Sequence, residues 1–140
     1  MSDALMSYRP VATLVPEDAR TGFIPKLLPG VPLLLAETYV FRFMSELSAD
    51  YGGGLWAYYC ASNDPLYMAP SGHEPMRVTW VDNFFDGVMS ADAAGIVATL
   101  FTLSHLSFRY PSEGLSENFE RLRDFSYSHA EAELIGRAID

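Results

Sequence analysis

The sequence predicts a single α+β domain in which a small antiparallel β-meander of three to four strands packs against about four α-helices. Three observations lead to this prediction. An apolar segment over 91–109 starts with a good helix cap, and a segment over 33–49 has helical periodicity. Short strand-like runs between them follow one another too closely for parallel crossovers. The 140 residues, 49% of them hydrophobic, are enough for one core.

Chain-breaking residues divide the N-terminal part of the sequence. We expect a flexible leader over 1–10 and the domain over 11–140. VATLV at 11–15 is short and apolar, which favours an edge strand. Prolines and glycines between 16 and 32 limit helix formation there to short turns. The amphipathic helix predicted over 33–49 comes next.

Four short segments in the middle of the chain have the composition of strands. A run of three glycines at 52–54 ends the helix before them. That run precedes a strand, whereas a phosphate-binding loop joins a strand to a following helix, so a turn is the preferred interpretation. The segments are LWAYYCA at 55–61, LYMAP at 66–70, MRVTWV at 76–81 and FFDGVM at 84–89.

The most apolar helix is predicted from SADAAGIVATLFTLSHL, which begins at Ser90. Ser90 is a good N-cap, and Asp92 lies in the first turn, where the helix dipole favours an anion. Ala94, Gly95 and Ala98 leave little side-chain bulk, so another element is expected to approach this backbone closely. A narrow polar stripe is predicted at Asp92, Thr99, Thr102, His105 and Arg109.

Two further helices are predicted near the C-terminal end of the sequence. The segment LSENFERLRDFSYS at 115–128 follows the breakers Pro111 and Gly114 and has helical periodicity. SHAE at 128–131 has the pattern of a capping box and predicts a last short helix to about 138.

Charge and composition limit the possible functions. With 18 acidic and nine basic residues the formal net charge is −9, and the basic residues are scattered, which disfavours direct binding to nucleic acid. The sequence starts without the pattern of a secretory signal, and Asp92 and His105 interrupt the longest apolar run, so we expect a cytoplasmic protein without membrane association. The single cysteine, Cys60, lies within a predicted strand, which favours a buried thiol.

No arrangement of residues predicts catalysis or metal binding. Ser104 and His105 are adjacent on a helix and point in different directions, so they do not form a nucleophile and base pair. Asp82 and Asp86 flank a turn, where carboxylates usually face water. We therefore expect a protein that is not an enzyme and has no cofactor. The alternative is a small hydrolase or metal enzyme that uses His73, His105 or the turn aspartates, at least three of which would have to converge on one pocket. No two of the three histidines, His73, His105 and His129, have the spacing of metal ligands.

Four carboxylates in the C-terminal part, spaced four, three and four residues apart, would share one face of a helix. That face could contact a basic partner. Alternatively it is a solvated surface partly neutralised by Arg121 and Arg123. Asp140, with the terminal carboxylate, would add another exposed anionic group. The four members of this acidic row are Glu113, Glu117, Glu120 and Asp124.

Five blocks of the sequence follow one another in a recognisable order: VATLVPE at 11–17, DYGGGLWAYYCASND at 50–64, LYMAP at 66–70, SADAAGIVATLFTLSHL at 90–106 and RAID at 137–140. These blocks resemble, in the same order, those of the ArdB/KlcA group of antirestriction proteins. The resemblance covers almost everything after residue 10, and its specificity comes from the order and extent of the blocks. The loop at 72–76 and the linker at 109–118 depart from the family pattern.

This resemblance implies counteraction of type I restriction enzymes and protection of incoming plasmid or other mobile DNA. The implied partner is a type I restriction-modification complex or an associated host protein, contacted by a monomer or weak dimer. Members of the family are understood not to act as obvious DNA mimics, and a single short acidic row agrees, since a mimic must reproduce rows of phosphates. The alternative is a mimic that occupies the DNA-binding groove of a restriction enzyme through the acidic helix face.

Overall fold

The computed structural model describes residues 12–61, 64–72 and 74–140. The predicted leader at 1–10 and His73 lie outside these described residues. Two small antiparallel sheets and five α-helices form an α+β fold, as predicted. The helices are α1 (Phe23–Leu27), α2 (Leu33–Leu47), α3 (Ala91–Arg109), α4 (Glu113–Ser126) and α5 (Ala132–Ile139).

Every strand pair is antiparallel, but the strands are divided between two sheets. One sheet has the order β1-β2-β3 and the other contains β4 and β5. Strand β3 ends at Pro70, a residue without an N–H, and the chain turns at Gly72, which has φ +65°, before β4 begins at Met76. The five described strands exceed the predicted three to four. They are β1 (Ala12–Leu14), β2 (Trp56–Ala61), β3 (Leu66–Pro70), β4 (Met76–Trp80) and β5 (Phe85–Met89).

The segment between β1 and α2 forms short turns, as its prolines and glycines predict. A 3-10 helix over Glu17–Gly22 leads directly into α1, which buries Phe23, Ile24 and Leu27. Asn118 of α4 holds the end of α1 in position. Its side-chain amide donates hydrogen bonds to the backbone carbonyls of Lys26 and Leu27. This segment therefore packs on the body of the protein and closes one side of the core.

Helix α3 begins and ends where the sequence predicts. The hydroxyl of Ser90 accepts a hydrogen bond from the backbone N–H of Ala93 at 3.1 Å, which caps the helix. The expected close approach is also present, because a Cβ atom placed on Gly95 would lie only 2.4 Å from the Cβ of Ala69 and from the carbonyl oxygen of Met68 on β3. The small residues of α3 thus allow direct contact between helix and sheet.

Two residues of the predicted polar stripe of α3 lie in the core. Thr99 and Thr102 are completely buried, because their hydroxyls donate to the carbonyls of Gly95 and Ala98, at 2.8 and 2.7 Å, and need no water. Helix α3 has the length and apolar composition of a membrane span, yet 67% of its apolar segment is buried inside the protein. Helices α2, α4 and α5 and strand β3 surround it, as expected for a core helix.

The capping box predicted at 128–131 does not form. Helix α5 starts at Ala132 after Glu131, with no side-chain bond to its first turn, and the hydroxyl of Ser128 donates instead to the carbonyl of Phe125 at 2.8 Å. Helix α4 starts at Glu113, two residues before the predicted start. The chain therefore turns between the helices through local hydrogen bonds, which leaves the carboxylate of Glu131 free for a distant partner.

Candidate functional site

The acidic row lies on the exposed face of α4. All four side chains are exposed, while Leu115, Leu122 and Phe125 of the same helix are buried on the opposite side. The first and last members are eleven residues apart, so the row extends for roughly 16 Å at about 1.5 Å per residue. The structure therefore brings Glu113, Glu117, Glu120 and Asp124 together on one surface.

The row is only partly neutralised by the neighbouring arginines. Arg121 and Glu117 approach to 4.0 Å between guanidinium and carboxylate, with both side chains more than half exposed, so this ion pair is weak. Arg123, which the sequence would pair with Glu120, lies over the ring of Phe119 with its guanidinium carbon 5.4 Å from the ring centre. The surface of α4 therefore remains predominantly anionic.

Asp140 lies at a different place from the acidic row. It follows the last turn of α5 and lines a cleft of about 390 Å³ between this helix and the turn that joins β4 to β5. Glu133 and Arg137 of α5 also line the cleft, and the guanidinium carbon of Arg137 lies 5.6 Å from the ring centre of Phe85. The predicted site residues thus form two groups, the row on α4 and Asp140 in the cleft beside α5.

The turn between β4 and β5 forms the other side of this cleft. A short 3-10 helix over Val81–Asn83 leads to Phe84, which has φ +52° and ψ 35° and a side chain 95% exposed. The side-chain amide of Asn83 donates to the carbonyl of Ala138 in α5 at 2.7 Å. This bond holds the turn against the last helix. The turn will be called the hairpin tip, defined as residues 81–84.

A polar cluster at the start of α3 was not predicted. The carboxylate of Asp92 accepts hydrogen bonds from the hydroxyl of Tyr67 at 2.9 Å and from Nε2 of His129 at 2.8 Å. The backbone N–H of Glu131 donates to Nδ1 of His129 at 2.9 Å, so this geometry fits the neutral imidazole that carries its proton on Nε2. Burial, and then the nearby Asp92 carboxylate, raise the pKa of the Tyr67 hydroxyl.

Glu131 completes the cluster from the other side. Its carboxylate accepts from the backbone N–H of Ser90 at 2.8 Å and from the hydroxyl of the same residue. Two carboxylates therefore lie at the N-terminus of α3, where the helix dipole favours negative charge. The partners are 25, 37 and 41 residues apart in the chain, so no local spacing signals the cluster.

Ser90 and His129 of this cluster do not form a nucleophile and base pair. The hydroxyl of Ser90 bonds to Glu131, while His129 bonds to Asp92, so the serine and the histidine have separate partners. Across the described residues, no three His, Cys, Asp or Glu side chains are grouped to hold a metal ion. The cluster joins β3, the start of α3 and the segment between α4 and α5.

The other residues considered from the sequence lie apart from one another. Asp86 forms an exposed ion pair with Arg77, which lowers the pKa of this carboxyl, while Asp82 belongs to the hairpin tip. His105 is exposed, with its ring centre 5.4 Å from that of Phe43. The described part of the chain therefore does not bring the turn aspartates and His105 into one pocket.

Cys60 is only partly buried, which corrects the prediction of a buried thiol. The Sγ atom donates to the carbonyl of Ala61 at 3.6 Å. The residue lies on β2 between the short edge strand β1 and β3, and three residues of β1 do not cover it completely. Burial, and then the neighbouring Asp64 carboxylate, raise the pKa of the thiol, which disfavours the reactive thiolate.

Comparison with known proteins gives a consistent result. The family model described as "Antirestriction protein" matches residues 49–140. An antirestriction protein KlcA of Escherichia coli is 40% identical over the whole length of both chains, and another KlcA of that species is 37% identical over 92% of this chain and 94% of its own. The uncharacterised protein YafX of Escherichia coli K12 is 35% identical over 91% of this chain and 86% of its own.

The fold is similar to a solved structure with a TM-score of 0.82 and 37% sequence identity. The match covers 94% of this chain and 95% of the other. The solved structures are those of the KlcA and ArdB proteins, which have a novel fold. These proteins show antirestriction activity against type I DNA restriction systems in vivo but not in vitro.

Proposed function

Because this chain belongs to the ArdB/KlcA family of antirestriction proteins, we propose that it protects incoming plasmid or other mobile DNA from type I restriction. The observation that carries the proposal is the similarity in sequence and fold along nearly the whole chain to KlcA and ArdB, for which activity against type I systems in vivo is described. The protein would act in the cytoplasm, where restriction takes place, as a monomer or weak dimer and without catalysing a reaction.

The proposed mechanism is contact with a protein and not imitation of DNA. One strand of B-DNA carries a phosphate about every 3.4 Å, so a row of roughly 16 Å corresponds to about five phosphates of one strand. The acidic row offers four carboxylates, and Arg121 partly neutralises one of them, Glu117. A single row of this length lacks the second strand that a restriction enzyme also contacts. This geometry favours a local contact with a basic protein surface.

The absence of activity in vitro described for KlcA and ArdB supports a requirement for a cellular component. We infer that the partner of this chain is either a type I complex in its cellular state or a host protein associated with it. A DNA mimic would compete with DNA for the purified enzyme, and low salt would strengthen this competition. The proposal predicts no such competition by the purified chain.

We propose the acidic row as the contact surface, with Asp140 as a second anionic contact. The test is the plating efficiency of unmodified phage on cells that carry a type I restriction system. The variant Glu113→Gln, Glu117→Gln, Glu120→Gln and Asp124→Asn is compared with the native chain at matched soluble expression. If the row contributes at least about 1.4 kcal/mol to the contact, protection should fall by about tenfold or more.

The control variant removes four exposed carboxylates that lie elsewhere: Glu17→Gln, Asp18→Asn, Glu46→Gln and Asp64→Asn. Both variants change the formal net charge from −9 to −5, since each loses four of the 18 acidic groups. The control should keep full protection. Equal loss in both variants would indicate a general effect of charge, and full protection by the acidic-row variant would exclude that surface. No protection by the native chain would contradict the proposed function itself.

A further inference from the structure

Phe84 combines an unfavourable backbone with an exposed side chain. Its φ of +52° lies in the left-handed region, which residues other than glycine, asparagine and aspartate rarely adopt. Its ring is 95% exposed, so no burial inside the protein compensates for this conformation. Exposed apolar side chains also occur elsewhere on this protein, but Phe84 combines exposure with a left-handed backbone. The stability of the fold does not explain this combination, and contact with a partner explains it better.

The surrounding structure holds the backbone of Phe84 in place. The backbone N–H of Phe84 donates to the carbonyl of Val81 at 3.0 Å, and the amide of Asn83 anchors the preceding residue to α5. The next residue, Phe85, is 3% exposed and lies beneath Arg137. Because residues on both sides are held, the backbone that carries the ring is preorganised, and less backbone entropy is lost when a partner covers it.

The groups around the ring indicate the chemistry of its partner. Val81, 83% exposed, adds apolar area at the same tip. Three exposed carboxylates lie beside it: Asp82 within the tip, and Glu133 and Asp140 across the cleft. Arg137 also lines the cleft, so these groups together carry an excess of two negative charges, three acidic minus one basic. Within the described part of the chain, none of the three takes part in an ion pair.

We propose that the hairpin tip docks into an apolar cleft on a partner protein whose rim carries lysine or arginine. The aromatic ring supplies the buried anchor typical of interface hot spots, and the carboxylates face the basic rim. The same carboxylates repel nucleic acid and anionic lipid. They also repel a second copy of this chain, which has a net charge of −9. This inference rests on the proposed function for its cellular readout, and it adds a contact surface separate from the acidic row.

Substitution of Phe84 tests the proposal in the plating assay. The variant Phe84→Gly removes the ring and suits the left-handed backbone, so it should melt at a temperature no lower than the native chain. We expect it to lose protection by about tenfold or more, the size of a hot-spot loss. The matched control is Phe108→Ala compared with Phe84→Ala, since Phe108 is 89% exposed on α3. Full protection by the Phe84 variants, or equal loss in Phe108→Ala, would overturn the proposal.

A photo-crosslinking residue at position 84 or 108 provides a readout that does not depend on protection. Benzoylphenylalanine at 84, in cells with the restriction system, should give one protein adduct whose linked peptide contains lysine or arginine. Asp82→Asn with Glu133→Gln should weaken this adduct, and position 108 should not give it. No adduct at 84, or the same adduct from both positions, would overturn the docking surface. A specific adduct at position 84, together with no protection by the native chain, would refute the proposed function and leave the docking surface standing.

Discussion

Two helical glycines should respond in opposite directions when replaced by alanine. Gly95 lies in α3 against β3. Gly136 lies in α5, and apart from its chain neighbours and the backbone of its own helix no atom lies within 4 Å of the place where a Cβ would stand. In a helix, alanine is favoured over glycine by about 1 kcal/mol. Gly136→Ala should therefore stabilise the protein by up to about 1 kcal/mol.

At Gly95 the same gain is outweighed by a clash. A Cβ there would lie 2.4 Å from the carbonyl oxygen of Met68 and 2.5 Å from the Cα of Ala69, which is about 1 Å closer than ordinary contact. These are backbone atoms, so α3 and β3 must move apart. Overpacking of this kind typically costs about 1–3 kcal/mol, and the upper value applies where backbone must shift. After subtraction of the propensity gain of about 1 kcal/mol, Gly95→Ala should lose roughly 2 kcal/mol.

Thermal and urea unfolding, followed by circular dichroism, measure both variants. For a chain of this size, 1 kcal/mol corresponds to roughly 2–4 °C. Gly95→Ala should thus melt about 4–8 °C below the native chain and Gly136→Ala up to about 4 °C above it. A Gly95→Ala protein as stable as Gly136→Ala would refute the close packing of α3 on β3.

Two further predictions concern the polar cluster. Ser90→Ala removes the cap of α3 and a donor to Glu131, so urea unfolding should show a loss of about 1–2 kcal/mol, whereas Ser112→Ala should change little because Ser112 makes no side-chain cap bond to α4. Tyr67→Phe should cost about 1.5–2 kcal/mol at pH 7, since it removes a bond to a carboxylate. The native pKa of Tyr67 is raised, so its contribution is complete below the unfolded value of about 10 and is lost as pH rises through the folded value. The Phe variant should therefore show a flatter decline of stability above about pH 10; an identical decline in both proteins would contradict this assignment.

Local patterns were sufficient for most of the secondary structure. The cap at Ser90 and the apolar run after it predicted both ends of α3, and the glycine and proline breakers predicted the short turns before α2. The prediction failed at 128–131, where Ser128 bonds backward and Glu131 bonds to Ser90. A capping box is a local signal, and a distant partner competed successfully for its glutamate.

Helical spacing groups the acidic row, whereas a long-range hydrogen bond brings Asp140 and Phe84 to one cleft. The acidic row is a property of helical spacing, so one helix over 113–126 was enough to align its members. Asp140 and Phe84 share a cleft only because Asn83 attaches the hairpin tip to α5 across 55 residues. The left-handed backbone of Phe84 is likewise set by its surroundings, since its sequence suggests a strand.

The sequence by itself determined the fold class, the main helices, the anionic charge and the family, because these follow from periodicity, composition and ordered blocks along the chain. Only the tertiary structure decided that Thr99 and Thr102 are buried and that the strands divide into two sheets. It alone joined Tyr67, Asp92 and His129, and left an aromatic ring exposed beside three carboxylates. These features depend on contacts between residues distant in the chain, whose geometry is set by packing and by competition among hydrogen-bond partners.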